Sequence, residues 1–353
     1  MLDKLIAQGQ LHLPPSALST LDVPSPLGTV PFDRVEGMLL GLAIGDSLGN
    51  TTEGQLPDTR HPIRGYAPNR YASGRAVGLP SDDTQLAFWT LEHLLEHDRI
   101  VPERLLATFA ARAIYGVGRT VAAACQAFRD GQPWYQAAQR SAGNGALMRI
   151  APVVAPHLKA PSSALWEDAV LAGAVTHNDA TSIAACVAFV GMLWDLLGMS
   201  VGPQPAWWLD TFLARARPLE GEVQLRPRHP GLAFRGPLWR LVDTEVRRAL
   251  EQQLTVRDAC DHWYSGAFLL ETLPSALYIL ARHSGEPEVA VIHAVNDTKD
   301  NDTIAAIVGA AVGALYGRLA FRSQWLHGLL GRTGEHDDGR VFELIAQARE
   351  RWG

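Results

Sequence analysis

Apolar residues recur at helical spacing along almost the whole chain, and the alternation of a half-buried strand is nearly absent. The pattern predicts helices over 33–48, 82–97, 102–115, 120–130, 134–140, 146–154, 163–175, 179–197 and 206–215. Further helices are predicted over 239–253, 266–283, 287–295, 303–316 and 340–351. Between them lie two stretches rich in Gly, Pro and Arg, 50–80 and 216–238. A loop as long as the first, without structure of its own, is usually functional or disordered. Residues 1–31 are proline-rich with a weak apolar pattern and read as an appended segment, one short helix followed by an extended strap. No solenoid-type period appears. The expected organisation is an N-terminal extension, 1–31, and one large all-α domain of orthogonal helices, 32–353.

Two of the predicted helices carry a glycine at every fourth position. Gly37, Gly41, Gly45 and Gly49 mark the first, and Gly309, Gly313 and Gly317 mark the other. Each glycine costs about 1 kcal/mol of helix propensity, for which close packing is the natural compensation. One central helix pair and two separate close contacts both satisfy the pattern. The second helix has no polar side chain from Ile304 to Leu315, yet Asp297, Asp300 and Asp302 crowd its start. Charge at the mouth of a buried apolar helix needs a compensator: a helix N-terminus, a metal ion, or both.

Composition narrows the classes. Hydrophobic residues at 47% against 19% charged supply a large core. A net charge of -6 and a pI near 6.1 argue against nucleic acid held through its backbone. Arg60, Arg64, Arg70 and Arg75 keep that option open only locally. Cys125, Cys186 and Cys260 are scattered in apolar surroundings and read as core thiols of a reducing, cytoplasmic compartment. The apolar runs 183–194 and 304–315 fall short of the roughly 20 residues that span a bilayer, so no membrane association is expected. No secretion signal is read at the N-terminus.

Six short motifs could carry chemistry. Ser81-Asp82-Asp83-Thr84 precedes an amphipathic run and suits a helix cap. Asp300-Asn301-Asp302-Thr303 has the same bland reading, although one cap does not call for several acids. An EF-hand fails, because neither Asp297 nor Asp300 is followed by Gly at the sixth position and Glu at the twelfth. Oxygen-only donors point to a hard ion, Mg²⁺ or Mn²⁺. Together the two clusters offer four carboxylates and two hydroxyls, enough for two ions if the helix starts converge. Asp46 sits beside the first glycine stripe, either as a buried hydrogen-bonding acid or as a site acid. Glu53 lies on the following loop, where a solvated acid is the ordinary reading. Gly116-Val117-Gly118-Arg119-Thr120 opens a helix and could hold phosphate, or be a plain turn. Gly143-Asn144-Gly145, followed by Met148, is a turn signal first and a ligand loop second. His177, in Thr176-His177-Asn178-Asp179, becomes a site residue only if the other loops gather around it.

In order and content these motifs resemble the ADP-ribosylglycohydrolase family, over roughly residues 32–317. The likeness rests on Gly41, Gly45, Asp46 and Gly49 (G-x-x-x-G-D-x-x-G), Ser81–Thr84, Gly143–Arg149 (G-N-G-x-x-M-R), Thr176–Asp179 and Asp300–Thr303. It implies an all-α fold with a binuclear Mg²⁺ or Mn²⁺ cleft. One ion would be held by Ser81, Asp82, Asp83 and Asp302, the other by Asp300, Asp302 and Thr303. It implies phosphates near Gly116, Gly118, Arg119 and Thr120. Ribose or adenosine would lie near Gly143, Asn144, Gly145, Met148 and His177, and Asp46 counts among the substrate-binding residues. Asp83, Asp302 and Glu53 would be the catalytic acids, Glu53 standing where some relatives have a mobile glutamate. Asp297 has no counterpart in the matching motif. Thr298-Lys299 stand where many relatives have Gly-Gly, which bears on the entrance or the leaving group.

The implied activity is removal of ADP-ribose from a modified acceptor, with arginine on protein as the first choice. The implied partner is an ADP-ribosylated protein or a small ADP-ribose conjugate. Serine, a nucleobase or a small O-linked derivative are alternative acceptors. Two other classes compete. A non-catalytic ADP-ribose-binding relative would lack metal ligands, all of which are present here. A siteless helical protein with well-capped helices would keep its two acidic clusters apart.

Overall fold

The computed structural model describes residues 2–15 and 17–353. Among the described residues the architecture is all-helical, with only isolated β-bridges and no sheet. The helices in chain order are α1 (Leu2–Ala7), α2 (Phe32–Asn50), α3 (Asp82–His97), α4 (Pro102–Ala111), α5 (Arg119–Arg129) and α6 (Trp134–Ala137). Then come α7 (Ala164–Ala174), α8 (Ala180–Gly198), α9 (Pro205–Glu220), α10 (Leu238–Leu241), α11 (Arg247–Glu251) and α12 (Val256–His262). The last are α13 (Leu269–His283), α14 (Pro287–Asp297), α15 (Asn301–Tyr316), α16 (Ser323–Gly328) and α17 (Arg340–Trp352).

The two glycine stripes face each other. A Cβ on Gly41 would stand 2.1 Å from the carbonyl oxygen of Gly309, and one on Gly309 would stand 2.1 Å from that of Gly41. Gly37 meets Gly313, Gly45 meets Ala305, and Gly49 meets the Cα of Asp302. The helices α2 and α15 therefore run antiparallel as one central pair, with backbone against backbone. Asn301 locks the end of the crossing, donating to Gly49 O at 3.0 Å and Thr52 Oγ1 at 3.1 Å. Helices α13, α14 and α8 pack around α15, and α7 and α9 pack on α8.

Several boundaries differ from the sequence expectation. The stretch 146–154 forms 3₁₀ turns, Leu147–Arg149 and Ala151–His157, because Pro152 and Pro156 remove amide donors and crowd an α-helical turn. The predicted helix 102–115 stops at Ala111, and 134–140 stops at Ala137. The predicted 239–253 is interrupted by a π turn, Val242–Val246. Helices α12 and α16 were not predicted, being too short to show a period. Helix α12 is capped by Thr255 Oγ1, which accepts from Asp258 N at 3.1 Å. Helix α8 is 19 residues long with mean hydropathy 1.8, longer than the apolar run suggested. It lies 89% buried inside the protein, as a core helix.

Residues 2–15 and 17–31 lie along α7, α8 and α9. Leu2, Leu11, Leu13 and Ala17 join the main hydrophobic core. The strap is fastened by Trp166 Nε1–H to Asp22 O at 2.8 Å and Trp194 Nε1–H to Ser25 O at 2.9 Å. The three cysteines are buried free thiols.

Candidate metal centre and substrate cleft

Packing Gly49 on the Cα of Asp302 has a chemical consequence. It brings Asp46, one turn earlier on α2, next to the start of α15. The N-terminus of α3 arrives at the same point. One oxygen from each of Asp46, Asp83 and Asp302 falls within 4.8 Å of the others, and all three residues are buried. The acidic clusters of α3 and α15 thus converge, which excludes the siteless reading that needed them apart.

Neither cluster is a simple cap. Ser81 occupies the N-cap of α3 and Asp300 that of α15, and neither side chain caps its own helix. Asp46 performs that task for α3 from outside. Its carboxylate accepts from Ser81 N (3.0 Å), Ser81 Oγ (2.7 Å), Thr84 N (3.0 Å) and the Thr84 hydroxyl. Asp46 is fully buried beneath the helix start and is not among the residues that line the cleft. It hydrogen-bonds the start of α3 and also belongs to the buried acidic group with Asp83 and Asp302.

Asp83 Oδ2 accepts from Thr303 Oγ1 at 3.3 Å, a contact bridging 220 positions of sequence. Its Oδ1 is buried and has no hydrogen-bond partner. An unpartnered buried carboxylate oxygen is costly, and here further carboxylates aggravate it. Burial, and after it Asp46, Asp302, Asp82 and Asp300, push Asp83 well above the ordinary carboxylate range. Asp302 is raised well above it by burial and then by Asp300, Glu53 and Asp46. Asp82 is raised in the same way by burial and then by Asp46. Burial lifts Asp300 to about 6. Such a set must hold protons or a cation. With oxygen donors only and an oxygen left bare, the residues fit a hard metal ion.

Above this knot opens a cleft of about 260 Å³. Its acidic wall is Asp82, Asp300, Asp302 and Thr303. Gly116, Gly118, Arg119 and Thr120 line a second side, where Gly118 N donates to Asp82 Oδ2 at 3.3 Å. Gly143, Asn144, Gly145, Met148 and His177 form a third. Asn144 Nδ2 donates to Asp300 Oδ2 at 2.5 Å and to Thr272 Oγ1 at 3.0 Å, so that loop is tied to the acidic wall. Glu53 stands at the mouth. Its Oε2 would lie 3.8 Å from a Cβ on Gly116, and burial, then Asp46, raises its carboxyl. Arg60 moors the Glu53 loop by donating to Gln55 O at 2.7 Å and Thr298 O at 2.9 Å. Ser81 and Asp83 lie just under the lining.

The cleft also contains residues that sequence reading missed: Val121, Ser141, Ala267, Phe268 and Arg228. Arg228 is held by Glu271 through two charge-assisted bonds, 3.0 and 2.6 Å. Its only sequence signal was its place in the Pro/Arg/Gly-rich stretch. Lys299 is outside the lining and rests its Nζ 3.8 Å from the Tyr264 ring centroid. Asp297 is likewise elsewhere, bonded to His293 Nδ1 at 2.6 Å.

Residues 28–352 match the ADP-ribosylglycohydrolase family. The ADP-ribosylarginine hydrolase Tri1 of Pseudomonas putida (strain GB-1) is 27% identical over 313 residues, 84% of this chain and 74% of that protein. The ADP-ribosyl-[dinitrogen reductase] glycohydrolase of Rhodospirillum rubrum is 26% identical over 332 residues, 90% of this chain and 97% of that one. Among solved structures, an ADP-ribosylglycohydrolase-related protein complex superposes with a TM-score of 0.67 at 26% identity, covering 91% of this chain and 97% of that one. A match over nearly the full length, on a helical fold with the acidic motifs brought together, shows that this chain belongs to the ADP-ribosylglycohydrolase family, hydrolases of glycosidic bonds.

Proposed function

We propose that the protein hydrolyses the bond between C1″ of ADP-ribose and a modified acceptor, arginine on protein, with two Mg²⁺ or Mn²⁺ ions. The observation that carries this reading is the buried meeting of Asp46, Asp83 and Asp302, joined by Thr303, with one Asp83 oxygen left bare. Ser81, Asp82, Asp83, Asp300, Asp302 and Thr303 would hold the ions. When bound, the ions orient the vicinal ribose hydroxyls and make water nucleophilic at neutral pH. The arginine acceptor is supported by the names of relatives, the Tri1 ADP-ribosylarginine hydrolases of Pseudomonas putida and Serratia proteamaculans.

The chain's own residues supply positioning and proton transfer. Amides at the start of α5, with Arg119, suit the diphosphate. Water oxygen bonds to C1″ as the C1″–N bond breaks. The water proton passes to a carboxylate, and the leaving guanidine takes a proton from a carboxylic acid. Asp83 and Glu53 are the carboxyl groups placed to carry these protons, and burial raises both.

The test is incubation of an ADP-ribosylated arginine protein with Mg²⁺ and with EDTA. Release of ADP-ribose with Mg²⁺ and its loss in EDTA is the expected result. No release under either condition refutes the proposal, and release from a serine-linked substrate alone reassigns the acceptor. Asp302→Asn should lower turnover by at least about a hundredfold while the fold melts as before.

A further inference from the structure

Arg149 is an unusual residue to find at the bottom of a protein. It is fully buried, and among the described residues no carboxylate pairs with it. Its Nε and Nη1 have no acceptor. Its guanidinium lies 5.0 Å from the Phe109 ring centroid, and its Nη2 donates to Ala172 O and Thr176 Oγ1, both at 2.9 Å. An unpaired buried cation is expensive, so what its one side-chain acceptor does next matters.

Thr176 Oγ1 is also 2.9 Å from His177 Nδ1. Arginine cannot accept a hydrogen bond. The threonine oxygen therefore accepts from Arg149, and among the described residues its single proton has no acceptor within hydrogen-bond distance other than His177 Nδ1. Nδ1 of His177 is then the acceptor, and the ring proton sits on Nε2. Nε2 is the nitrogen on the cleft side. It would stand 3.3 Å from a Cβ on Gly143 and 3.4 Å from one on Gly145, so the two glycines leave room beside it. The relay is locked from the other flank as well, since Gln139 and residues 176–178 exchange backbone bonds at 2.9 Å.

We propose that Arg149 and Thr176 are positioning residues that fix His177 as a neutral, Nε2-protonated imidazole, so that His177 meets the substrate solely as a hydrogen-bond donor. The atom it takes is a hydrogen-bond acceptor of the ligand that fills the cleft. This second statement rests on the proposed ADP-ribose chemistry, whereas the tautomer does not. The field of the buried guanidinium agrees with it: after burial, Arg149 is the cause that disfavours the imidazolium.

Substitution of Arg149 itself would hollow the core, so the test uses Thr176. Ring ¹⁵N shifts of His177 should show an unprotonated Nδ1 and a protonated Nε2 in the wild type and in Thr176→Ser. Thr176→Val, which keeps the shape and loses the hydroxyl, should show mixed tautomers. Binding of ADP-ribose, followed by calorimetry, should weaken about three- to tenfold in Thr176→Val and be restored in Thr176→Ser. An Nδ1-protonated ring in the wild type overturns the relay. A relay seen by NMR with unchanged ADP-ribose affinity in Thr176→Val overturns the donor role. Failure of the wild type to bind ADP-ribose overturns the donor role together with the proposed function, and leaves the tautomer decided by NMR alone.

Discussion

His93 shows a single buried imidazole tuned for structure. On α3 it accepts from Val101 N at 3.0 Å, which it can do only when neutral. Burial, followed by the neighbouring His97, lowers its pKa from 6.5 to about 4. The sign follows from proton counting. Between about pH 6.5 and 4 the unfolded chain binds the proton and the folded chain does not, so stability is full above 6.5 and is lost as pH falls through that window. Acid titration of melting temperature, run in chelator, should therefore carry a contribution from His93 across that window. In His93→Gln, whose amide oxygen can still accept from Val101, the slope there should flatten. An unchanged slope would mean that His93 is protonated in the fold. The acidic knot is the opposite case of residue-scale legibility. Asp82, Asp83, Asp300 and Asp302 stand out in sequence because acids are rare beside apolar helices. Arg228 does not, because an arginine in a loop has many ordinary uses, and Thr176 is visible in its motif without its bond to Arg149.

At the scale of elements, the crossing of α2 and α15 governs the site. The glycine spacing was visible in sequence, and so was its purpose of close approach. That the two stripes meet each other was not, because a four-residue period names a bare face without naming its partner. The contact itself is severe: Gly41→Ala places a methyl 2.1 Å from a backbone oxygen, where no side-chain rotation relieves it. The expected cost is about 3 kcal/mol or more, measured by denaturant unfolding. A loss below about 1 kcal/mol would mean that the helices can part cheaply. Separation of α2 from α15 would also draw Asp46 away from Ser81 and Asp302, so metal response should weaken along with stability. The 3₁₀ turns that replace the helix predicted over 146–154 have a related cause. Their apolar spacing suits a helix, but Pro152 and Pro156 decide the backbone locally.

At the scale of the whole molecule, the family match begins at residue 28, yet the segment before it is fastened to the site. Asn178 is buried beside His177. It accepts from His12 N at 3.1 Å and donates to Gln10 O at 2.8 Å, so its amide is paired with the strap's backbone. Deleting residues 2–27 would leave that amide, and the indole N–H groups of Trp166 and Trp194, without these partners. It would also uncover the core surface now covered by Leu2, Leu11 and Leu13. Each orphaned polar group costs about 1–3 kcal/mol unless water replaces the partner. The truncated protein should melt several degrees lower and bind ADP-ribose more weakly, because the turn that carries His177 loses its outer support. Asn178→Ala in the full chain separates the two effects. It removes the latch and keeps the apolar cover, so ADP-ribose affinity should fall while most of the melting temperature is retained. If Asn178→Ala binds ADP-ribose as the wild type does, the strap serves the core alone, and the turn at His177 stands on its bonds to Gln139 and Arg149.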